Sequence, residues 1–385
     1  MKLIPISFNA KVSYWGRGYR ARKGPMSELS KLISHFPDKP WSWFELSSNP
    51  NITMGDVLAH PDKPWDWGRL SRNPGITIKD MLAHPNARWD WMESCRNPNI
   101  TIKDVISRND KPWSWWFLSK NPSTTMKDVN SYPSRAWNHA LLSLNPTITM
   151  KDVNMHSADV WDWDQLSGNP GITMKDIDEH PNRPWNWEYV SLNPSITMKD
   201  VLSHSSWDWN ELSRNPNITM KDVDMYPDEP WEWGWLSGNP NITMKDVNAH
   251  PDKHWNWAWL SSNTNITIKD ILEHPDKAWD WECLSANPGI SIRDIDRHPN
   301  KPWIWKWVSG NPNITMNDVF THQDKPWDWY RLSLNKFAHS PKVQIITIRK
   351  VQNIRAKHRL EIQSKLLHSG SDLCSDLIRA LLRAL

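Results

Sequence analysis

Serine, histidine and aspartate stand close together at many points of this chain, and nucleophilic hydrolases combine these residue types. Ser71, Asp80 and His84, for example, lie within one stretch of 14 residues. The same residue types return at similar spacing in nearly every later stretch. A catalytic group is normally unique within a chain, so this recurrence favours structural roles. We therefore predict no catalytic residue and no enzymatic activity.

Nine histidines at equivalent positions raise the alternative of a metal site. Neighbouring copies are expected to lie about 10 Å apart, the distance between packed helices, whereas zinc requires ligands at about 2 Å. We therefore predict no metal and no cofactor, and we assign these histidines to helix C-termini, where they interact with the helix dipole. The nine are His60, His84, His156, His180, His204, His250, His274, His298 and His322.

These residues belong to a unit that the chain repeats about thirteen times. Residues 49–71 form one clear copy, which reads NPNITMGDVLAHPDKPWDWGRLS. Its first tryptophan recurs every 24 residues, except for one interval of 22 residues between Trp185 and Trp207. Internal repetition at this length is typical of solenoids. The sequence therefore predicts an all-α solenoid, a superhelix of about 12–13 repeats of two short helices each, with capping helices at both ends.

Each copy predicts two helices. The first is expected to begin near Asp62, which is placed to cap it, with Pro64 in the first turn, where a missing N–H costs nothing. It should end at Asn73, because Asn tolerates a left-handed terminating conformation and the following proline cannot continue the helix. The second should begin at Thr77, where the Thr-x-x-Asp pattern indicates a capping box, and should run to His84.

Tryptophan is the residue expected to hold these helices together. The chain contains 30 Trp but only 6 Phe and 6 Tyr. Helices of two turns are marginal alone, whereas each buried Trp removes roughly 150–250 Å² from water. At about 25 cal/mol per Å², two tryptophans per repeat can compensate for such short helices. Where two residues are missing before Trp207, we expect a changed loop and no break in the register.

The chain divides into four regions. Residues 1–25 form a basic segment that we expect to be flexible. Residues 26–40 carry apolar residues at helical spacing and predict an N-terminal capping half-repeat. Residues 41–335 form the Trp-rich array, which should be on the order of 100 Å long at helix-packing distances. Residues 336–385 predict a basic, helical C-terminal cap.

Charge is distributed unevenly among these regions and limits the classes of partner. The net charge is +6 over residues 1–40, −10 over the array and +7 over residues 336–385. A nucleic-acid groove needs a basic stripe, so nucleic acid is disfavoured, although the basic ends leave it possible.

No apolar run reaches the ~20 residues of a membrane span, no signal peptide is visible, and the three Cys lack disulfide or zinc spacing. We predict a monomeric, intracellular protein of the cytoplasm or nucleus.

Positions that vary between copies are the candidates for binding, because framework positions stay fixed while recognition positions change. On the first helix, irregular aromatic residues occupy the two places after Trp-x-Trp, and the place before the helix-ending Asn carries Arg or Lys in some copies. Exposed aromatic and Arg side chains are typical interface anchors; neutral drift without any ligand is the alternative. The candidate face consists of Trp116, Phe117, Tyr189, Trp235, Trp259, Trp307, Tyr330, Arg72, Arg96, Lys120 and Arg214.

The order Asn-Pro-x-x-Thr, short helix, x-Pro-Asp, second helix and Leu-Ser-x-Asn-Pro resembles the leucine-rich repeat variant. That resemblance covers residues 49–335 and implies a right-handed superhelix that pairs an α-helix with a 3₁₀ or short helix in each unit. The chain differs from that family in having Trp-x-Trp where the family carries aliphatic residues. The segment His-Pro-Asp-Lys-Pro-Trp-Asp-Trp is similar to segments of uncharacterised Trp-rich repeat proteins of giant amoebal viruses. This similarity implies a viral protein inside a host cell.

These observations predict a non-enzymatic scaffold that binds a protein partner through an extended face of the solenoid. A first alternative is nucleic-acid binding through the basic termini. A second is an enzyme with a site grafted at one end, which no Gly-rich phosphate loop or isolated catalytic motif supports.

Overall fold

A computed structural model describes residues 27–337 of the chain, and every regular element within them is a short α-helix. The predicted all-α solenoid is thereby confirmed. The helices form thirteen pairs, numbered here as repeats 1–13, each an odd-numbered helix followed by an even-numbered one. The predicted segment 1–25 and nearly all of 336–385 lie outside the described residues.

The odd-numbered helices are α1 Glu28–His35, α3 Met54–Ala59, α5 Ile78–Ala83, α7 Ile102–Ser107, α9 Met126–Ser131, α11 Met150–Met155, α13 Met174–Glu179, α15 Met198–Val201, α17 Met220–Met225, α19 Met244–Ala249, α21 Ile268–Glu273, α23 Ile292–Arg297 and α25 Met316–Thr321. The even-numbered helices are α2 Trp43–Leu46, α4 Trp67–Arg72, α6 Trp91–Ser94, α8 Trp115–Ser119, α10 His139–Leu142, α12 Trp163–Ser167, α14 Trp187–Leu192, α16 Trp209–Arg214, α18 Trp233–Gly238, α20 Trp257–Ser262, α22 Trp281–Ala286, α24 Trp305–Val308 and α26 Trp329–Leu334.

The odd-numbered helices begin as predicted, with a capping box in each helix from α3 to α25. In α5, Thr77 accepts the Asp80 N–H at 3.3 Å, and the Asp80 carboxylate accepts the Thr77 N–H at 2.8 Å. The carboxylate also places negative charge at the positive end of the helix dipole. His84 caps the other end of α5. Eight of the nine histidines cap an odd-numbered helix in this way, as predicted. His204 differs, because α15 ends early and its C-cap is Leu202.

The even-numbered helices begin later than predicted. Helix α4 begins at Trp67, and its N-cap is Asp66, whose side chain accepts the N–H of the third helical residue at 2.8 Å. The prediction of Asp62 as the cap is wrong for a local reason. The N–H that follows Pro64 donates to the carbonyl that precedes it at 2.8 Å, which makes a three-residue turn that suits the fixed φ of proline. The chain is then extended until the helix begins.

The residue that ends each even-numbered helix links two repeats. Asn73 has φ −71° and ψ 126°, so the predicted left-handed conformation is wrong; the following Pro74 holds it extended. Its amide donates to the carbonyl oxygens of Ser47 at 2.9 Å and Asn49 at 2.8 Å, one repeat earlier. Its Oδ1 accepts the Gly75 N–H at 2.7 Å. Bonds of this kind form the Asn ladder of Asn49, Asn73, Asn97, Asn121, Asn145, Asn169, Asn193, Asn215, Asn239, Asn263, Asn287, Asn311 and Asn335, all buried.

Serine and tryptophan make two further connections between repeats. The Ser71 hydroxyl donates to the Trp67 carbonyl at 2.7 Å and accepts the Asp90 N–H of the next repeat at 2.9 Å. The Trp67 indole lies edge-to-face against Trp89, with ring centroids 4.9 Å apart. The Trp89 indole N–H donates to the His84 carbonyl at 2.9 Å. The first Trp of a repeat therefore packs against the preceding repeat, and the second Trp against the following one.

The apolar core lies between the two layers of helices. Leu70 of an even-numbered helix, Ile76 of the connecting loop and Met81 of an odd-numbered helix are completely buried, and the same positions are buried around the whole array. The first Trp of most repeats is also buried. The expectation that indoles join one 24-residue unit to the next is confirmed.

The shortened repeat keeps its register, as predicted. Trp207 follows its missing residues, yet it still packs edge-to-face against Trp187, with centroids 5.2 Å apart. Its indole N–H donates to the Val201 carbonyl at 2.9 Å. Besides the loop, the preceding helix changes, because α15 has four residues whereas the other capping-box helices have six.

The two ends of the array contact each other, so the solenoid is a closed ring. The amide of Asn49 in repeat 1 donates to the carbonyl oxygens of Ser333 at 2.9 Å and Asn335 at 3.0 Å in repeat 13. Trp329 lies edge-to-face against Trp41, with centroids 4.9 Å apart. The same kinds of contact join most other pairs of neighbouring repeats. A repeated interface closes when its rotations complete one turn, which for thirteen repeats means about 28° each.

Closure corrects the expected extended array on the order of 100 Å in length. Helix α1 does form within the predicted half-repeat, but it packs against α25 and so completes the ring. The even-numbered helices contact their neighbours more closely than the odd-numbered ones do, which places the even-numbered layer on the inside. With neighbours 8–10 Å apart and a helix half-width of about 5 Å, the central opening is roughly 25–30 Å across.

Candidate binding face

The candidate face lies on the inner layer of the ring. The second, third and sixth positions, counted from the first residue of each even-numbered helix and including the residues just after the shorter helices, point away from the fourth and fifth positions, since successive helical residues turn by about 100°. The fourth and fifth residues, such as Leu70 and Ser71, are completely buried in the core. The opposite side of each inner helix therefore faces the central opening. We call this surface the inner face; all eleven residues of the predicted binding face occupy its positions.

The structure separates those eleven residues by exposure. Trp116, Tyr189 and Tyr330 are exposed by 48%, 36% and 51%, and Arg96 and Lys120 are exposed as well. Four others are half-buried, namely Phe117, Trp235, Trp259 and Arg72. Trp307 and Arg214 are buried, at 8% exposure each. Only the first group exposes enough surface to contact a partner in the arrangement described.

One part of the inner face is a row of stacked side chains from repeats 8 to 10. The Arg214 guanidinium lies over the Trp235 ring at 4.2 Å from its centroid, and the Trp235 and Trp259 rings meet edge-to-face at 4.4 Å. Arg214 also pairs with Glu211, whose two carboxylate oxygens lie 2.8 Å from its Nη1. Burial raises the pKa of Glu211, and Arg214 opposes that shift. This row joins neighbouring repeats, a role that the sequence pattern did not reveal.

A second part is an open cluster of aromatic and basic side chains in repeats 3 and 4. The Arg96 guanidinium lies 4.0 Å from the centroid of the Phe117 ring, and the Lys120 ammonium lies 5.3 Å from that of Trp116. Trp116 and Phe117 pack edge-to-face at 4.8 Å. Burial lowers the pKa of Lys120, and the neighbouring charge of Arg96 lowers it further. The cluster offers two cations and an indole to a partner with acidic and apolar groups.

A third part lies where repeats 13, 1 and 2 meet. The Tyr330 hydroxyl donates to the Glu45 carboxylate at 3.2 Å, and Arg69 lies 3.4 Å from the other oxygen of that carboxylate. The Arg69 guanidinium also covers the Phe44 ring. Burial raises the pKa of Tyr330, and the Glu45 charge raises it further. These contacts tie the closing repeats together across the inner face.

Sequence reasoning missed Phe44, which is 49% exposed on this face, and Arg69 beside it. Phe44 occupies the first place after Trp-x-Trp, so the rule that selected the other aromatic residues would have found it. The inner face carries seven basic and six acidic residues at its three positions. This balance does not provide the basic stripe that nucleic acid requires.

The recurring Ser, His and Asp residues are engaged in the framework. The Ser71 hydroxyl bonds the carbonyl of its own helix and an N–H of the next repeat, and Asp80 serves the capping box. One group of three residues that could hold a metal ion, His139, His156 and Asp159, is present among the described residues. Across residues 27–337, none of the helices combines the length and apolar character that crossing a membrane requires.

No protein-family model, curated protein sequence or solved structure matches the chain. The resemblance to the leucine-rich repeat variant and to viral Trp-rich repeat proteins therefore stays a prediction.

Proposed function

We propose that this protein is a non-enzymatic, ring-shaped scaffold that binds a protein partner on its inner face. The observation that carries the proposal is the contrast between framework and inner face. Core, cap and ladder positions hold the same residue type in nearly every repeat, whereas the second, third and sixth positions of the inner helices change from repeat to repeat.

Exposed apolar side chains support this assignment. Phe44, Met92, Trp116 and Tyr330 each leave about half of their surface to solvent at the second inner position. Large aromatic groups beside Arg and Lys are the residues that contribute most of the energy in protein interfaces. A central opening roughly 25 Å or more across, set by helix-packing distances, is wide enough for one α-helix of about 10–12 Å diameter.

The experiment compares partners captured from the native cell by three forms of the full chain. One form carries Phe44→Ser, Trp116→Ser and Tyr330→Ser on the inner face. A matched control carries Met155→Ser, Leu202→Ser and Met225→Ser, which remove side chains of similar exposure from the outer layer. The proposal expects specific partners, quantified by mass spectrometry, to be lost only with the inner-face form. Partners that persist with that form, or that disappear equally with the control, contradict it.

Nucleic-acid binding through the basic termini is the second candidate, supported by the charges of +6 and +7 at the two ends of the chain. Binding of duplex DNA or RNA by such ends would weaken steeply with salt concentration. Titration near physiological salt distinguishes the candidates, since the protein scaffold expects no measurable nucleic-acid affinity there.

A further inference from the structure

One of the thirteen interfaces between repeats differs from all others in its chemistry. The second Trp of the motif is replaced in repeat 5 by His139, the single departure among thirteen copies. The imidazole keeps the packing role of the indole, since it lies edge-to-face against Trp161 with centroids 5.1 Å apart. It also introduces a nitrogen, Nε2, that is buried without a hydrogen-bond partner.

A second replacement occurs on the facing side of the same interface. In nine other interfaces a Lys or Arg from the following loop lies over the second Trp, as Lys63 does over Trp43 at 5.3 Å. The residue at this place in the loop of repeat 6 is Asp159. Both members of the cation–π pair have therefore changed together, from an indole and a cation to an imidazole and a carboxylate. The other eight pairs are Lys39–Trp329, Lys111–Trp91, Arg135–Trp115, Arg183–Trp163, Lys253–Trp233, Lys277–Trp257, Lys301–Trp281 and Lys325–Trp305.

The paired change brings three metal-ligand atoms together. Asp159 Oδ2 lies 3.3 Å from His139 Nε2 and 3.2 Å from His156 Nδ1, and all three atoms lie within 4.8 Å of one another. In a tetrahedral zinc site with bonds of about 2.0–2.1 Å, neighbouring ligand atoms are about 3.3 Å apart. Two of the three ligand distances already have this length. The two imidazole nitrogens need to approach each other by no more than about 1.5 Å, which small rotations of these half-buried side chains can supply.

The neighbouring hydrogen bond orients one ligand. Oδ1 of Asn130 lies 2.7 Å from His156 Nε2, and because a carbonyl oxygen only accepts, Nε2 carries the proton. The lone pair of Nδ1 is then directed towards Asp159, an arrangement that requires either a second proton or a cation between them. An outer partner that fixes the tautomer of a ligating His is a regular feature of metal sites. Asp159 is 40% exposed, so an ion and a water ligand can enter from solvent.

We propose that His139 Nε2, His156 Nδ1 and Asp159 Oδ2 bind one transition-metal ion of the zinc type, which links repeats 5 and 6. Two imidazoles and one carboxylate form a ligand set that zinc accepts, with the fourth position left for water. The prediction from sequence that adjacent copies cannot share an ion concerns equivalent histidines. It does not apply here, because these ligands occupy three different positions of the repeat.

The test measures zinc binding to the purified, metal-free full chain by titration calorimetry with ZnCl₂. His139→Trp combined with Asp159→Lys restores the pair found at nine other interfaces, so this variant is expected to fold and to lose the site. Asp159→Asn is a second variant of the same size, and it removes only the charged ligand. His250→Gln is the control, since it removes a histidine at the interface of repeats 9 and 10, far from the cluster.

The wild type and the His250→Gln form are expected to bind one Zn²⁺ per chain with equal affinity and to gain in melting temperature with zinc. The restored pair should show none of this binding, and Asp159→Asn should bind at least tenfold more weakly. Co²⁺ in place of Zn²⁺ should give the strong visible absorption of a four-coordinate site in the wild type and in the His250→Gln form, but not in the restored pair. Equal zinc affinity of the wild type and the restored pair overturns the proposal, as does a wild type that binds no zinc.

Discussion

Closure of the ring can be tested by comparing one substitution at the closing interface with the equivalent substitution at an internal interface. Asn49 lies at the closing interface, where its amide donates to two carbonyl oxygens of repeat 13 at 2.9 and 3.0 Å. Asn169 lies inside the array and donates to two carbonyl oxygens of the preceding repeat at 2.8 and 2.9 Å. Both side chains accept an N–H two residues later, and both residues are 3% exposed. The perturbation is Asn49→Ala, with Asn169→Ala as its control.

The hydrogen bonds in the structure determine how much free energy of unfolding each variant should lose. Each variant loses three hydrogen bonds worth about 0.5–1.5 kcal/mol each, and it leaves buried backbone carbonyls without their donors, at about 1–3 kcal/mol for each group. We therefore expect Asn169→Ala to reduce the free energy of unfolding by about 3–5 kcal/mol. Asn49→Ala should cost the same if the ring is closed in solution. In an open array only the local N–H bond of Asn49 would be lost, at about 1 kcal/mol.

The assay is equilibrium unfolding in urea, followed by circular dichroism and by tryptophan fluorescence. Coincidence of the two signals verifies that one cooperative transition is compared. A ratio near one between the two losses supports closure. The reasoning is refuted if Asn49→Ala costs less than about a third of what Asn169→Ala costs, since that result means the ends do not meet.

Two further predictions concern the framework. Cys95 occupies the position that serine, such as Ser71, occupies in the other twelve repeats. Burial raises the pKa of its thiol from 9.0 to about 11. Because the folded thiol keeps its proton more strongly, the wild type should lose about 2 kcal/mol of stability between pH 9 and pH 11 that Cys95→Ser does not lose. Urea unfolding at each pH measures this loss, and parallel curves would contradict the burial of this thiol. Asp222→Ala removes the carboxylate of the α17 capping box and should reduce the free energy of unfolding by about 1 kcal/mol in the same assay. The control is Asp224→Ala, two residues further on and exposed, which should reduce it by less than half as much.

Much of the fold follows from the sequence because its signals are local. Thr77 and Asp80 stand three apart at a helix start, and the structure gives the capping box that this spacing predicts. The regular tryptophans predict packing between repeats, and Trp67 and Trp89 show it. The helix start was predicted too early at Asp62, because the pattern does not reveal that the carbonyl before Pro64 bonds the next N–H in a tight turn.

The candidate site was less accessible to prediction because neighbours decide exposure. Trp116 and Trp307 occupy similar variable places, yet Trp116 is half exposed, whereas Trp307 is buried beneath the Arg331 guanidinium at 3.9 Å. The difference depends on which residue the next repeat presents, and only the stacked structure supplies that pairing. The His139 cluster escaped prediction for the same reason, since its ligands come from a helix start, a helix end and a loop.

Closure of the ring depends on the rotation between neighbouring repeats, and the sequence of a single repeat does not reveal that angle. An error of 2° in a step of about 28° accumulates to about 26° over thirteen repeats, enough to open the ring into a helix. A sequence signal nevertheless exists at the ends. Solenoids with free ends need terminal repeats with a polar outer side, but Trp41 and Asn49 in repeat 1, and Trp329 and Ser333 in repeat 13, keep the residues that bind a neighbour.

These end residues also explain why the ring is the favoured state. Thirteen linked repeats in an open row form twelve interfaces, and closure adds a thirteenth with the same hydrogen bonds and the same edge-to-face indoles. The two surfaces are held on one chain, so their association is intramolecular and occurs at high effective concentration. An open form would expose the unbonded donors of Asn49 and an apolar indole surface. Helices of four to eight residues, too short to persist alone, thus gain their last stabilising contact from the repeat that lies farthest away along the chain.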